Sequence, residues 1–352
     1  MIAPRLGDPS TLGAVSPGAK RVTIREVADA AGVSQAAVSY ALRGINVSEE
    51  TQERVRKVAA DLGYEANPIA RALASGRTGT VGILGPSLED LWQQRFAAEA
   101  GRVLLARDHF ALIVDAGGDP GRQRMLATQL RDQQVDGLII SPVNPSDEFW
   151  TELAQALPVV SIGDALSGAP VVGEVLFDNR TGVARALEHL HGLGHKRIAV
   201  LRRPGSPTND RPAEVLVAAE AERLGLDVLV RTAPYELGQA TAAAREMLSA
   251  DTIPTAAFCF SDSIAYGIYA AARELGLEIP RDLSVVGYDN HPMSAVLAPR
   301  LTTFDWRSDW LVEKAVDMVI EAIGPQRPQR RRFVIEPDLH EGGSTAPPRS
   351  SE

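Results

Sequence analysis

The apolar and polar positions of residues 22–64 repeat with the period of short helices. The first apolar run, over 24–31, ends at Gly32, the second covers 35–42, and the third ends at Gly63. The positions expected to face the interior are Val27, Ala30, Ala31, Val33, Val38, Leu42, Val55, Val58, Ala59 and Leu62. The pattern therefore predicts three helices in the first 64 residues.

A polar residue that favours a helix start precedes each of these runs. Thr23 and Glu26 have the spacing of a capping box, and Ser34 and Ser48 precede the second and third runs. Only about three residues, with a glycine among them, separate the first two helices. This is the spacing of a helix-turn-helix, although small three-helix bundles that never touch DNA share it.

From residue 80 the pattern changes to short apolar runs, each followed by a turn and a helical stretch. The predicted strands are 80–84, 111–114, 137–140, 159–162, 197–201, 227–230, 256–260 and 284–287. Such alternation is typical of parallel strands with crossover helices. Two doubly wound halves are the simplest arrangement, with any ligand in the crevice at the carboxyl ends of the strands.

Composition is that of a globular chain of two or three domains: 352 residues, 45% hydrophobic and 23% charged. The net charge of -9 argues weakly against nucleic-acid binding, but it is unevenly spread. Residues 20–79 hold nine Lys or Arg against seven Asp or Glu, which leaves a net charge of -11 on 80–352. A basic-leaning first region thus precedes an acidic body.

Cysteine use and the first residues bear on location. The single cysteine, Cys259, allows no internal disulfide and no cysteine-based zinc cluster. Residues 1–19 resemble neither a signal peptide nor a membrane anchor, and no later run is long enough to span a bilayer. We expect a cytoplasmic protein with no membrane partner.

The second predicted helix has the chemistry to read DNA. Gln35 can bond a base through two atoms, and Ala36 or Ala37 can meet a thymine methyl group. Ser34, Ser39 and Tyr40 can reach phosphates or bases. This composition favours DNA binding over a structural bundle.

Enzyme motifs are missing from the acidic body. The sequence contains no phosphate-binding loop and no G-x-S-x-G nucleophile turn. His189, His191 and His195 cluster in sequence, but a helix ending at Gly192 followed by a turn and a strand should make their rings diverge. We expect a binding protein with no metal, cofactor or catalytic group. A solute-binding protein without DNA function and an α/β enzyme remain the alternatives.

Longer motifs resemble one family. The stretch VTIREVADAAGVSQAAVSYALRGINVSEETQERVRKVAADLGYEANPIARALASGRT resembles the DNA-binding head of the lactose-repressor/galactose-repressor family of bacterial transcription regulators. The stretches DNRTGVARALEHLHGLGHKRIAVL and PTAAFCFSDSIAYGIYAAARELGLEIPRDLSVVGYDN resemble its effector domain. The resemblance implies an all-α helix-turn-helix head with a hinge helix, and an α/β body like the periplasmic sugar-binding proteins. That body has two doubly wound parallel-sheet subdomains.

The resemblance also implies the domain boundaries. They are a disordered extension (1–20), the helix-turn-helix head (21–66), a hinge helix and linker (67–79), an effector-binding and dimerisation domain (80–340) and a flexible tail (341–352). The two subdomains of 80–340 should divide near 165–178 and again near 290–306.

In this family the second helix reads the major groove, and a hinge-helix leucine, Leu73 by position, wedges into the minor groove. The implied DNA contacts are Thr23, Ser34, Gln35, Ala36, Ser39, Tyr40, Arg43, Asn46, Ser48, Thr51, Tyr64, Asn67, Ala70, Leu73 and Ala74. The implied partners are a second copy of the chain and a palindromic operator, to which the family's members bind as repressors.

The family's ligand positions fall on Trp92, Ser141, Arg211, Asp262 and Asp289. Charged groups there would bond hydroxyls and the tryptophan would provide a stacking wall. The implied effector is a sugar or related metabolite that moves the subdomains and thereby loosens or orders the hinge helices. Several positions depart from the family pattern, among them Gly163, Ser261 and Ala233, so two expectations stay open: an atypical ligand, or a pocket that has lost its effector.

Overall fold

The chain divides into two compact units, residues 1–76 and residues 77–352. The computed structural model describes residues 22–64, 76–204, 212–250, 253–325 and 329–349. The expected extension at 1–20 and the expected hinge helix within 67–75 lie outside the described residues. No helix in the described part of the chain is long and apolar enough to cross a bilayer.

The first unit contains the three predicted helices, α1 (Ile24–Ala31), α2 (Gln35–Arg43) and α3 (Glu49–Leu62). The predicted capping box is present: Glu26 N donates to Thr23 Oγ1 at 3.3 Å, and Thr23 N donates to Glu26 Oε2 at 2.7 Å. Gly32 and Gly63 end α1 and α3 with φ of 65° at both, where a side chain would be strained. The helix-turn-helix arrangement is therefore confirmed.

The small core of this unit differs from the predicted one: Ala28 and Ala41 are buried although they were not predicted, and Ala30 and Leu62 are exposed. Its buried residues are Val27, Ala28, Ala31, Val38, Ala41, Val55 and Ala59. Ala28 takes the place expected for Ala30, which is exposed because the inward face of α1 follows the i, i+3, i+4, i+7 spacing from Ile24. Leu62, the last residue of α3, is also exposed.

The second unit contains a six-stranded parallel sheet in the order β11-β5-β4-β3-β1-β2. Its strands are β1 (Thr80–Gly85), β2 (Phe110–Asp115), β3 (Gly137–Ile140), β4 (Val159–Gly163), β5 (Gly173–Phe177) and β11 (Arg331–Ile335). In the register at its centre, Ile83 of β1 lies between Ile113 and Ile139.

A second parallel sheet, in the order β7-β6-β8-β9, follows along the chain. Its strands are β6 (Arg197–Arg202), β7 (Asp227–Thr232), β8 (Ala256–Cys259) and β9 (Ser284–Val286). An antiparallel pair, β10 (Thr303–Asp305) with β12 (Asp338–His340), joins the two halves. The chain leaves the first sheet after β5, returns after β10 and leaves again after β11.

Helices cover the sheets as a doubly wound fold requires. They are α4 (Leu91–Leu105), α5 (Pro120–Asp132), α6 (Phe149–Ala156), α7 (Asn179–Gly192), α8 (Pro212–Leu224), α9 (Leu237–Leu248), α10 (Asp262–Leu275) and α11 (Ser308–Ile323), with a 3-10 turn at Pro292–Val296. Helices α4 and α11 pack together and bury Ile139 and Val160 of the first sheet. The predicted two-subdomain body is confirmed.

All eight predicted strands form, and the described ranges contain four further strands that were not predicted. Strand β5 carries a charged residue, Glu174, in a fully buried position, which the apolar pattern does not anticipate. Arg330 and Arg332 neutralise its carboxylate at 2.9 and 2.7 Å. Arg332 lies in β11. This strand was not predicted either, because it begins with two arginines. Strands β10 and β12 have only three residues each, too few for a recognisable alternation.

Candidate DNA-reading surface and ligand cavity

Helix α2 has one buried side and one side open to solvent. Val38 and Ala41 are buried against the other two helices. The open side carries the predicted contact residues, the exposed Ser34, Gln35, Ala36 and Tyr40 and the half-buried Ser39. The structure thus places these five side chains on one solvent-facing side of the helix.

The start of α2 is also the least acidic helix start in the described part of the first unit. Glu26 occupies the first turn of α1, and Glu49 and Glu50 occupy that of α3, whereas α2 has no acid there. The Ser34 hydroxyl caps α2 by accepting from Ala37 N at 3.1 Å. Because no acid of its own first turn opposes it, the positive end of the α2 dipole suits an anionic partner.

The other predicted DNA contacts lie at helix starts, in a loop, against the small core or outside the described residues. Thr23, Ser48 and Thr51 lie at helix starts, where Ser48 Oγ bonds Thr51 Oγ1 at 3.0 Å, and Asn46 is exposed in the preceding loop. Tyr64 is half-buried against the small core. The side chain of Arg43 and all of Asn67, Ala70, Leu73 and Ala74 lie outside the described residues.

A cavity of about 160 Å³ lies at the carboxyl ends of the two parallel sheets. Residues that follow β1, β3, β4, β5, β6, β8 and β9 line it, as expected for a doubly wound fold. Of the predicted ligand residues, Trp92, Ser141 and Asp289 line this cavity. Arg211 lies outside the described residues.

Trp92 contributes to the cavity mostly as a buried wall. Its ring stacks on Phe96 with 5.7 Å between centroids, and its Nε1–H donates to Ser308 Oγ at 3.2 Å. Because only 4% of the residue is exposed, little of the ring faces the cavity. Its role there is to fix the shape of the wall.

Asp262, also predicted to bind the ligand, does not line the cavity and is fully buried. Its carboxylate accepts five hydrogen bonds of 2.5 to 3.2 Å, from the backbone N–H groups of Tyr288, Asp289 and His291 and the hydroxyls of Ser294 and Thr303. These bonds use the acceptor capacity of both oxygens. The structure therefore gives Asp262 a different task, to hold the loop that carries Asp289.

Two further carboxylates meet at the cavity. Asp90 follows β1 and Asp289 follows β9, so they belong to different halves of the unit. Burial raises the pKa of Asp90 from 3.8 to about 6, and the charge of Asp262 adds to this. Burial also raises the pKa of Asp289 well above its ordinary value, with further contributions from Asp90 and Asp262. Negative charge is thus costly at this site.

Hydrogen bonds link the two halves beside these carboxylates. Asp90 Oδ1 accepts from the hydroxyls of Ser261 at 3.1 Å and Ser263 at 3.3 Å. The backbone N–H of Leu91 donates to Ser263 Oγ at 3.1 Å. The start of α4 is therefore tied directly to the start of α10 across the cavity.

A chain of aromatic rings forms the floor of the cavity. Phe177 lies 5.3 Å from Trp92 and 4.6 Å from Trp306, and Trp306 lies 5.1 Å from Tyr288, between ring centroids. Sequence reasoning missed Asp90, Phe177, Tyr288 and Trp306. Phe177 ends a strand that was not predicted. Tyr288 is next to Asp289 and Asp90 follows β1, so their positions after predicted strands could have identified both as cavity residues.

The histidines that cluster in sequence have separate partners. His189 Nε2 bonds Thr345 Oγ1 at 3.0 Å, while the His195 ring bonds Thr255, Ser284 and the carbonyl of Ala346. Burial lowers the pKa of both rings. In the described ranges no group of three or more His, Cys, Asp or Glu residues has a metal-binding arrangement.

Two family models match the chain. The model for bacterial regulatory proteins of the lacI family matches residues 23–67, and the model for a periplasmic binding protein-like domain matches residues 187–345. The first covers the three helices described above, and the second covers the half of the cavity that contributes Asp289.

Similar proteins align over nearly the whole chain. The HTH-type transcriptional repressor PurR of Vibrio atlanticus (strain LGP32) is 27% identical over 328 residues, 91% of this chain and 97% of that protein. The ribose operon repressor of Escherichia coli (strain K12) is 29% identical over 329 residues, 92% and 99% of the two chains. A crystal structure of the lac repressor dimer bound to operator and the anti-inducer ONPF matches with a TM-score of 0.80 and 26% identity, over 93% of this chain and 100% of that one.

Proposed function

The chain belongs to the lacI family of bacterial regulatory proteins, and from this we propose that it represses transcription by binding an operator under the control of a small molecule. The observation that carries the proposal is the open side of α2, where Gln35, Ala36 and Tyr40 lie together beside a helix start without acids. A solute-binding protein has no use for such a surface.

We assign the reading of base edges to Gln35 and Ala36, and contacts to phosphates or bases to Ser39 and Tyr40. Leu73, in the proposed hinge segment 67–79, is assigned the minor-groove wedge by family position. Leu73→Ala should then weaken specific binding far more than nonspecific binding, because only a specific site is bent around the wedge. Competition titrations with operator and nonspecific DNA measure this, and equal losses would refute the wedge.

We propose a homodimer, because one short helix covers too few base pairs and two symmetric half-sites double the contacts. Part of its interface is assigned to a groove of about 590 Å³ in the second unit that exposes Met293, Val296 and Leu237. Arg273 and Glu278 also line this groove. A copy related by a two-fold axis would therefore meet opposite charges as well as apolar surface.

The effector site is assigned to the cavity between the two sheets, with Ser141 and Asp289 as polar contacts. A ligand held by residues of both halves favours one arrangement of the sheets over others. Strand β1 continues the chain directly from the linker at 76–79, so a movement of the first sheet is transmitted along the chain towards the DNA-binding helices. Neither a catalytic role nor a resident cofactor is part of this proposal, and the site of action is the cytoplasm, where the chromosome lies.

A gel-shift assay tests the proposal. Overlapping fragments from the region upstream of the gene for this chain are compared with coding fragments of equal length, at fixed salt because phosphate contacts make affinity salt-dependent. We expect one upstream fragment to bind on the order of a thousandfold more tightly than the coding fragments. Equal binding of all fragments would refute the proposal.

A further inference from the structure

Most of the charged side chains that line the cavity are acidic. Among the described residues that line it, Asp90, Asp164 and Asp289 carry carboxylates, and Arg203 carries a guanidinium group. Asp90 and Asp289 are more than nine-tenths buried. A ligand of this cavity must therefore be compatible with two buried acids that approach it from different halves of the unit.

The groups that contact these two carboxylates are neutral. Asp90 accepts from the Trp92 backbone N–H at 3.3 Å and from the two serine hydroxyls, and Asp289 Oδ2 accepts from the Asp262 backbone N–H at 2.8 Å. Neither acid forms a salt bridge within the described part of the chain. Removing two carboxylates from water without a cation is unfavourable.

One hydroxyl is shared between the two carboxylates. The Ser261 hydroxyl approaches both Asp90 and Asp289. A hydroxyl has a single proton, so it can satisfy only one of the two carboxylates at a time. A donor-rich group placed between them would satisfy both.

An ammonium group has the required chemistry. It has three N–H donors and a positive charge, and it is attracted to aromatic rings. Phe177 and Phe260 line the same cavity and are partly exposed in it. The described residues offer no set of three or more His, Cys, Asp or Glu residues arranged for a metal ion, which favours an organic cation.

We propose that the effector of this cavity is a small organic amine whose ammonium group lies between the carboxylates of Asp90 and Asp289. The inference rests on the proposed function, since it takes the cavity as the effector site. The cavity volume of about 160 Å³ lies below the range of drug-sized ligand pockets and fits an amine no larger than an amino sugar.

Thermal-shift measurements on the full chain test the charge of the ligand with matched pairs. Ethanolamine, putrescine and D-glucosamine are each compared with the compound that has hydroxyl in place of amino: ethylene glycol, 1,4-butanediol and D-glucose. All are used at 50 mM and equal ionic strength. We expect at least one amine to raise the melting temperature by about 2 °C or more, and its hydroxyl partner to have no effect.

Two variants and a control locate the effect. Asp90→Asn keeps a good helix cap for α4, and Asp289→Asn keeps an oxygen acceptor, so both should fold. Each should abolish the shift, while Asp132→Asn, an exposed acid on α5, should retain it. A hydroxyl compound that stabilises as well as its amine, an amine shift that survives in both Asn variants, or no shift with any amine would overturn the proposal.

The gel-shift assay keeps the two proposals apart. If the chain binds an operator but no amine raises its melting temperature, the amine effector is contradicted and the repressor function is retained. A chain that binds no operator but shows the amine shift, lost in both Asn variants, contradicts the repressor function and retains the amine site.

Discussion

Asp262 shows how a buried carboxylate can organise a loop instead of a ligand. Its five hydrogen bonds fix the backbone from Tyr288 to His291 and the side chains of Ser294 and Thr303. Loops carry few bonds of their own, so a single acceptor that gathers five donors defines their shape. The position of Asp289 at the cavity is therefore set by a residue that does not reach it.

Replacing Asp262 should be costly because it leaves several buried donors without an acceptor. We expect Asp262→Ala to lower the free energy of unfolding by about 3 kcal/mol or more, and Asp262→Asn to have a smaller effect because one oxygen remains. Urea denaturation measures both. The exposed Asp132→Ala should stay within about 0.5 kcal/mol of the parent. A similar small change for Asp262→Ala would show that the loop holds without this network.

Asp90 should make stability depend on pH. Its pKa is about 6 in the folded chain against 3.8 ordinarily, so the folded form holds the proton more tightly. Its stabilising contribution is complete below pH 3.8 and is lost as the pH rises through 6. The loss is at most about 3 kcal/mol, and Asp289 should act in the same direction.

Melting temperatures of the ligand-free chain between pH 5 and pH 7.5 test this. The decrease over that interval should be smaller in Asp90→Asn than in the parent, because the asparagine cannot titrate. The exposed Asp132→Asn serves as the reference for general charge effects. Identical pH dependence in the parent and in Asp90→Asn would contradict the assignment.

Helix α2 is the element to which we assign sequence recognition. Gln35 is exposed at its first position, and its amide can pair with a base through two bonds. Gln35→Ala should weaken operator binding by about 1–3 kcal/mol without altering its salt dependence, because no phosphate contact is lost. Binding titrations at several salt concentrations measure both quantities.

The control for this experiment is Gln129→Ala, an exposed glutamine on α5 in the second unit, which should bind operator like the parent. If Gln35→Ala changed the salt dependence but not the preference for operator, Gln35 would be a phosphate contact and α2 would read the groove through other residues.

Elements with local signals were predictable from the sequence, and elements with distant partners were not. Capping residues and glycines mark where the helices α1, α2 and α3 begin and end, and these signals lie within a few residues of each other in the sequence. Apolar runs mark the central strands. Strand β5 contains an acid whose arginine partners stand more than 150 residues away, so its local pattern is misleading.

The same distinction applies to the cavity. Trp92, Ser141 and Asp289 could be assigned by family position, and the structure places all three at the cavity. The task of Asp262 depends on donors that only the folded loop brings together. The link between Asp90 and the two serines joins positions more than 170 residues apart, which no local pattern contains.

The cavity assigned to the effector and the surface assigned to DNA belong to different units of the whole molecule. If the ligand changes DNA affinity, DNA must change ligand affinity by the same factor. The hydrogen bonds from Asp90 to Ser261 and Ser263 tie the two halves of the second unit together beside the cavity. A ligand that competes for Asp90 would weaken this tie, which gives the cavity a physical means of shifting the arrangement of the two halves.

Dimerisation is the property of the whole molecule that operator binding should depend on most. Val296 is 73% exposed in the groove assigned to the interface. An aspartate there would bury a charge against the partner copy, so we expect Val296→Asp to form monomers in sedimentation experiments. Operator binding should fall at least about tenfold, because the two half-sites are no longer read together. Met125→Asp places the same charge at an exposed apolar position on α5 and should leave the dimer intact. A dimeric Val296→Asp that binds operator normally would move the interface to another face of the second unit.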